Sequence, residues 1–252
     1  MLQGIDHVVI LVNDLDEAID SYTRLGFSVV PGGRHNVGTH NALIAFQDGS
    51  YIELIAFWED DRTHRWHRYL HLGGGLVDYC MRTDDILGDV AALRDAGVAM
   101  TDKQPMNRLR PDGYRLEWTL SLAVETQGVT PFLIEDITPR EERVPRKVDQ
   151  ANGALGISAL TIAVRETDVP RRMEALLGEG TSVEDERGGL LHYDSMRHGI
   201  DFLVPAGGAA ADFIAGREGG GGVYALALIT AGSQGRIDPS DAHNARLSLV
   251  HG

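Results

Sequence analysis

Four polar residues stand where an apolar strand should continue. His7 interrupts Ile5-Asp6-His7-Val8-Val9-Ile10, and Glu53 interrupts the run Tyr51 to Phe57. Asp78 lies inside Leu76-Val77-Asp78-Tyr79-Cys80, and Glu135 inside Pro131 to Ile137. Hiding an unpaired carboxylate costs roughly several kcal/mol, on the order of a domain's whole stability margin. Such groups are therefore paired, hydrogen-bonded, protonated or bound to a cation. One imidazole and three carboxylates meeting at one point suit a divalent metal ion: manganese, iron(II), nickel, zinc or magnesium. Each residue alone has a plainer alternative. A strand histidine is commonly satisfied in a core or at an edge, and a strand glutamate faces solvent by alternation. Asp136 competes with Glu135 for the inward position, because a one-residue shift flips the face.

An internal repeat strengthens the set. The strand-like run Gly4 to Val12 ends at Asp14, which reads as a helix N-cap with Glu17 completing a capping box. Leu15, Ile19 and Tyr22 follow at helical spacing, and Gly26 stands at the C-terminal end, twelve residues after Asp14. The run Leu76 to Thr83 leads likewise to Asp85, the stripe Ile86, Val90 and Leu93, and Gly97, again twelve residues on. Strand-like pieces complete each copy: 27–30, 42–46 and 51–57 in the first, 98–100, 115–122 and 131–137 in the second. Both copies read β-α-β-β-β. His7 and Asp78 each precede their cap by seven residues. The predicted fold class is α+β, with paired βαβββ modules forming a cupped mixed sheet and a third, degenerate module. The predicted organisation is a two-module domain over 1–138, a charged proline-bounded linker over 139–153, and the third module over 154–252. In that third copy a strand at 157–164, a helix at 168–178 and strands near 192–193, 200–204 and 223–229 are expected. Thr161 or Ala159 replaces the ligand there, and Asp201 matches Glu53 by local pattern only.

His35, His40 and Asn41 fall in a glycine-rich connection leading into a strand, the setting of many functional loops. They could bind substrate, shuttle a proton or orient a ligand, or could simply satisfy a turn. His64, His67 and His71 would share one face of a helix and could form a three-histidine metal site, but Arg62, Arg65 and Arg68 surround them with positive charge, which opposes a cation. That segment reads as an exposed or lid element.

The 252 residues carry 23 Lys plus Arg against 37 Asp plus Glu, a net charge of −14. A surface that acidic repels phosphate backbones and anionic membranes, so neither nucleic acid nor membrane is an expected partner. With Cys80 as the sole cysteine no internal disulfide can form, which is compatible with a cytoplasmic setting.

Three stretches together carry a resemblance: Gly4-Ile-Asp-His7-Val-Val-Ile-Leu-Val-Asn-Asp14, Gly32-Gly-Arg-His35-Asn-Val-Gly38-Thr-His40-Asn41, and Tyr51-Ile-Glu53-Leu-Ile. The chain resembles the glyoxalase-like domain family of the vicinal oxygen chelate superfamily, most clearly over residues 4–137. The resemblance implies cupped sheets of paired modules, with His7 and Glu53 as metal ligands. It departs from the family pattern at Asp78, where members often carry a second histidine. That departure weighs against ring-cleaving dioxygenase chemistry unless His35 or His40 supplies the imidazole.

The expected function is thus a metal-dependent lyase or isomerase acting on a small carbonyl- or hydroxyl-bearing substrate through enolate chemistry. The metal set would be His7, Glu53, Asp78 and Glu135. Glu135, released from the metal, or His40 would move the proton. His35, Asn41, Tyr51 and Trp118 would bind substrate. The alternatives are a non-catalytic small-molecule-binding or resistance protein, its cup lined by groups such as Tyr51, Phe57, Tyr79 and Trp118, and a dioxygenase. A homodimer is compatible, since such modules can pair within or between chains.

Overall fold

The computed structural model describes residues 2–146, 148–217 and 219–252. The first copy comprises β1 (Leu2–Leu11), α1 (Leu15–Arg24), β2 (Val30–His35), β3 (Thr39–Ala45) and β4 (Tyr51–Phe57). The second comprises β5 (Gly75–Thr83), α2 (Ile86–Asp95), β6 (Gln104–Leu109), β7 (Arg115–Ser121) and β8 (Phe132–Asp136). Both helices start as their sequences predict. The Asp14 carboxylate accepts from the Glu17 amide at 3.0 Å, and Asp85 accepts from Gly88 at 3.0 Å. Both end where Gly26 and Gly97 turn left-handed, each with φ of 83°.

The eight strands close into a barrel in the order β1-β4-β3-β2-β6-β7-β8-β5. Alternation gives each strand one side chain inside and the next outside. Val9, Leu11, Ile55, Leu116 and Ile134 line the interior. Val8, Ile10, Ile52 and Leu54 face outward into a larger core shared with α1 and α2. The second strands lie later than the sequence pattern predicts, at 30–35 and 104–109. The stretch expected as a glycine-rich connection contains β2 instead, with Pro31, Gly32 and Gly33 inside it, and this strand pairs with both β3 and β6 and joins the two copies. The glycines permit close approach: a Cβ on Gly33 would lie 2.0 Å from the Leu109 carbonyl oxygen.

After β8 comes the short helix α3 (Arg140–Arg143). It belongs to the stretch expected as a linker, but it packs Val144 against Leu43, Ala45 and Tyr51 and sends Arg143 into the barrel. Lys147 of that stretch lies outside the described residues.

The remaining chain forms β9 (Ala154–Val164), α4 (Asp168–Arg172), α5 (Glu174–Leu177), β10 (Thr181–Asp185), β11 (Gly188–Ser195) and β12 (His198–Pro205). It continues through α6 (Gly208–Ala215), β13 (Gly221–Thr230), β14 (Gly235–Arg236) and β15 (Leu247–Val250). These strands build one sheet in the order β10-β11-β12-β9-β13-β15-β14. Its Leu160, Ile162 and Leu226 join the outer core of the barrel. The expected helix at 168–178 is broken into α4 and α5. β10 was invisible to periodicity because all five of its residues are exposed. The strand expected to finish the third copy instead begins a fourth, incomplete one. β13 runs antiparallel to β9 as β5 does to β1, and β15 runs parallel to β13 as β8 does to β5. Among the described residues no helix is long and apolar enough to cross a membrane.

A buried charge network ties α3 to the barrel. Asp6 is the extra residue of a β-bulge, since Ile5 and His7 oppose the consecutive residues Met81 and Cys80. Its carboxylate meets Arg143 at 3.0 Å and also Arg140, while Arg143 reaches Asp136 at 2.6 Å. Removing one partner of such a pair strands the other charge. Arg143→Met is therefore expected to lower stability by about 3–5 kcal/mol in urea unfolding. Arg140→Met, at a more exposed site, should cost clearly less. Equal losses would contradict this account of the network.

Candidate functional site

The barrel interior holds a cavity of about 170 Å³. His7 enters it from β1 and Glu53 from β4, and the His7 Nε2 lies 3.4 Å from one Glu53 oxygen. His35, at the end of β2, places its Nε2 3.8 Å from the other oxygen. The two imidazoles thus offer the same nitrogen to one carboxylate. Their second nitrogens are anchored: His7 Nδ1 to Asp6 at 2.8 Å, and His35 Nδ1 to the Thr39 hydroxyl at 2.9 Å. Tyr51 stacks on His7 with centroids 4.6 Å apart, and Phe132 meets the same ring edge-on at 5.4 Å. Asn41 donates its amide to Glu53 at 2.6 Å.

Burial sets the charges. It would raise the Glu53 carboxyl, but the hydrogen bond and charge of His7 outweigh it and hold the group at about 2. Burial would lower His7, yet Asp6 and Glu53 reverse the sign and raise it. Burial lowers His35 to about 4, so that ring is neutral at pH 7. His64, from the loop after β4, also lines the cavity and is likewise held at about 4 by burial.

The set of four expected ligands is not brought together. Asp78 is buried on β5, but Trp66 Nε1 donates to it at 3.0 Å, the Tyr79 amide at 2.9 Å, and Arg65 lies 3.3 Å away. Its carboxylate is spent on that loop. Glu135 lies outside the cavity because Phe132 and Ile134 point in, leaving Leu133 and Glu135 to the other face. Asp136 is the inward acid, and Arg143 holds it. The repeat explains the discrepancy. Glu53 pairs with Val9, and Phe132 pairs with Cys80. Val9 and Cys80 each precede their helix cap by five residues, so Phe132 occupies the Glu53 position of the second copy. His40 also lies outside the cavity: it alternates with Thr39 and Asn41 on β3 and faces a separate groove beside α1. Tyr51 and Trp118 line the cavity, and Trp118 meets His35 edge-on at 6.0 Å. Tyr79 faces the outer core and donates to the Val129 carbonyl at 2.9 Å. In the third copy Asp201 sits opposite Thr161 and holds His192 at 2.7 Å, on the second sheet. Of the three spaced histidines only His64 lines the cavity; His67 pairs with Asp60 at 2.8 Å, and His71 is exposed.

The family described as glyoxalase-like domain matches residues 5–177, more than half of the sequence. The chain belongs to that family. Two solved structures share the architecture of this glyoxalase-like protein. One is a hypothetical protein from Staphylococcus aureus, 14% identical, covering 98% of this chain and 99% of that one with a TM-score of 0.73. The other is a mutant of 4-hydroxymandelate synthase from Streptomyces coelicolor, 16% identical, covering 91% of this chain and 72% of that one with a TM-score of 0.62. At such identities the likeness is one of fold. No curated protein matches the sequence. The fold is that of the vicinal oxygen chelate superfamily.

Among the described residues two groups could hold a cation in this glyoxalase-like cup. Asp6, His7 and Cys80 bring their ligating atoms within 4.8 Å of one another. However, two guanidiniums already occupy Asp6, and burial pushes the Cys80 thiol well up, which disfavours the thiolate a metal needs. His7, His35 and Glu53 are spread wider, because Glu53 meets the two rings through different oxygens. Their chemistry fits better. A neutral ring with its far nitrogen fixed by a neighbour is the usual form of a ligating histidine.

Sequence reasoning missed Asp6, Arg108 and Arg143 as cavity or support residues, and read His64 and Arg65, which line the cavity, as part of an exposed or lid segment. Asp6 was hidden by the bulge, and Arg143 by a stretch whose composition reads as a linker. The buried neutral rings carry a pH signature. Between about pH 6.5 and 4 the unfolded chain binds protons that folded His35 and His64 refuse, so stability falls as pH falls through that window. His7 runs the other way, its contribution full below 6.5 and fading as pH rises through its elevated value. His35→Gln should flatten the acid-side loss by about 2–3 kcal/mol in chelator-treated protein. An unchanged slope of stability against pH would place the His35 ring in solvent.

Proposed function

We propose that this protein is a metal-dependent lyase or isomerase for a small carbonyl- or hydroxyl-bearing substrate, with the metal on His7, His35 and Glu53. The observation that supports it is the convergence of two anchored imidazoles on one buried carboxylate inside a largely apolar cavity. Two imidazoles favour iron(II), manganese, nickel or zinc over magnesium. When bound, such an ion supplies Lewis-acid polarisation of a substrate oxygen. The chain itself supplies the rest. His35 and His7 are held in one orientation by Thr39 and Asp6. Trp118, Phe132 and Trp66 exclude water. His64, neutral at pH 7, takes the proton role expected of Glu135, because its Nδ1 accepts from the Trp66 amide at 3.3 Å and fixes the ring at the cavity wall. A small-molecule partner and a cytoplasmic setting belong to the same reading and accord with the −14 charge and single cysteine.

One observation favours a second reading. Two histidines and one carboxylate form the donor set that iron(II) oxygenases use, and His35 removes the objection raised by Asp78. Oxygen uptake by the iron-loaded protein with a catechol separates the two.

Equilibrium dialysis is expected to show one metal equivalent per chain. His7→Ala, His35→Ala and Glu53→Gln should each weaken binding at least about tenfold, and His40→Ala and Glu135→Gln should leave it unchanged. Binding should tighten as pH rises, because His7 must give up its proton. Full metal retention by the first three variants would defeat the proposal.

A further inference from the structure

Every buried guanidinium but one around this cavity has an answer to its charge. Arg143 has Asp6 and Asp136. Arg65 has Asp78 and lies over the faces of Trp66 and Phe132, each 4.6 Å from the ring centre. Arg217, farther off, lies over Tyr69 at 4.6 Å and Phe213 at 4.3 Å. Arg108 is 3% exposed and lines the cavity, yet among the described residues no carboxylate lies within 4.0 Å of it and no ring covers it. Its Nη2 donates to the Arg143 carbonyl at 2.9 Å and its Nη1 to Asn41 Oδ1 at a long 3.4 Å, and its Nε has no partner among the described residues. An uncompensated buried cation is among the least tolerated features of a protein interior.

We propose that Arg108 receives a carboxylate of the substrate, so that the cup selects small organic acids. The planar guanidinium matches a carboxylate through two parallel hydrogen bonds. Glu53 does not take that part: it is engaged by His7 and Asn41. The position also defines the ligand. Arg108 lies directly opposite His35 in the β2–β6 pair, and Asn41 touches both Arg108 and Glu53. A carboxylate on Arg108 therefore places the neighbouring carbon and its oxygen beside His35 and Glu53. The apolar remainder meets Met106, Trp118 and Phe132. This deepens the reading of the cup as a substrate site but needs no metal in it.

The test compares benzoate with its neutral isostere benzamide by isothermal titration on chelator-treated protein at pH 7. Wild type should bind benzoate at least about tenfold more tightly, as a charge-assisted pair requires. Arg108→Met should abolish the preference, and Arg108→Lys should reduce it several-fold while keeping the charge. Should Arg108→Met fail to fold, the wild-type ratio and the lysine variant decide. Equal binding of the two probes to wild type overturns the proposal. So does an undiminished preference in the lysine variant, or in a folded Arg108→Met protein that has lost only stability. A benzoate preference that survives while metal binding fails would sink the metal reading alone; metal binding with no preference would sink this one alone.

Discussion

A sheet closed on itself has no open edges, but its inner wall loses access to bulk water, and every ionised group there must be met by another side chain or by a ligand. That constraint orders the interior. Asp6 turns inward only because a bulge lets it, and it would be intolerable there without Arg143, 137 residues away in sequence. Once fixed, Asp6 occupies one nitrogen of His7 and leaves the other free to face Glu53. Glu53 in turn is bound by Asn41. The orientation of the donor atoms is thus set from α3 inward, through charges that cannot be satisfied any other way.

The repeat builds this wall and is then broken on it. Both copies contribute four strands, yet the donor atoms come from the first copy alone. At the positions related by the repeat the second copy presents Asp78, already taken up by Arg65 and Trp66, and Phe132, an aromatic wall. The second sheet repeats the topology once more and covers the outer core. The two copies together close the barrel. The second copy instead gives the cavity an apolar side, with Met106, Trp118, Phe132 and Ile134, against which a substrate body can rest.

This division explains what could be read from the chain. The modules, their caps at Asp14 and Asp85, and the pairing of His7 with Glu53 follow from local patterns: period, capping chemistry and polar residues in apolar runs. The remainder depends on register, which local pattern does not contain. Glu135 stands out as a polar residue in an apolar run, whereas strand pairing assigns Phe132 to the point that Glu53 occupies in the first copy. His35 and His40 looked equivalent in one glycine-rich stretch. In fact β2 and β3 run through it, and alternation sends His35 in and His40 out. Arg143 and Arg108 had no signal of their own, because burial of an arginine follows from tertiary contacts and not from its neighbours in sequence.

Asn41 shows how tightly such an interior is specified. Glu53 can only accept hydrogen bonds, and Arg108 can only donate them. A side chain placed between the two must donate on one side and accept on the other. An amide does both: its nitrogen reaches Glu53 and its oxygen faces Arg108. An aspartate there would set two carboxylates against each other, and a leucine would satisfy neither neighbour. Space is reserved for the amide as well, since a Cβ on Gly32 would lie 2.0 Å from Asn41 Oδ1. The contact to Arg108 is the slack one, at 3.4 Å against 2.6 Å to Glu53. A guanidinium held loosely on that side can shift toward an incoming anion without releasing the carboxylate on the other. Glycine, amide and arginine thereby join the position of a bound acid to the position of the donor atoms.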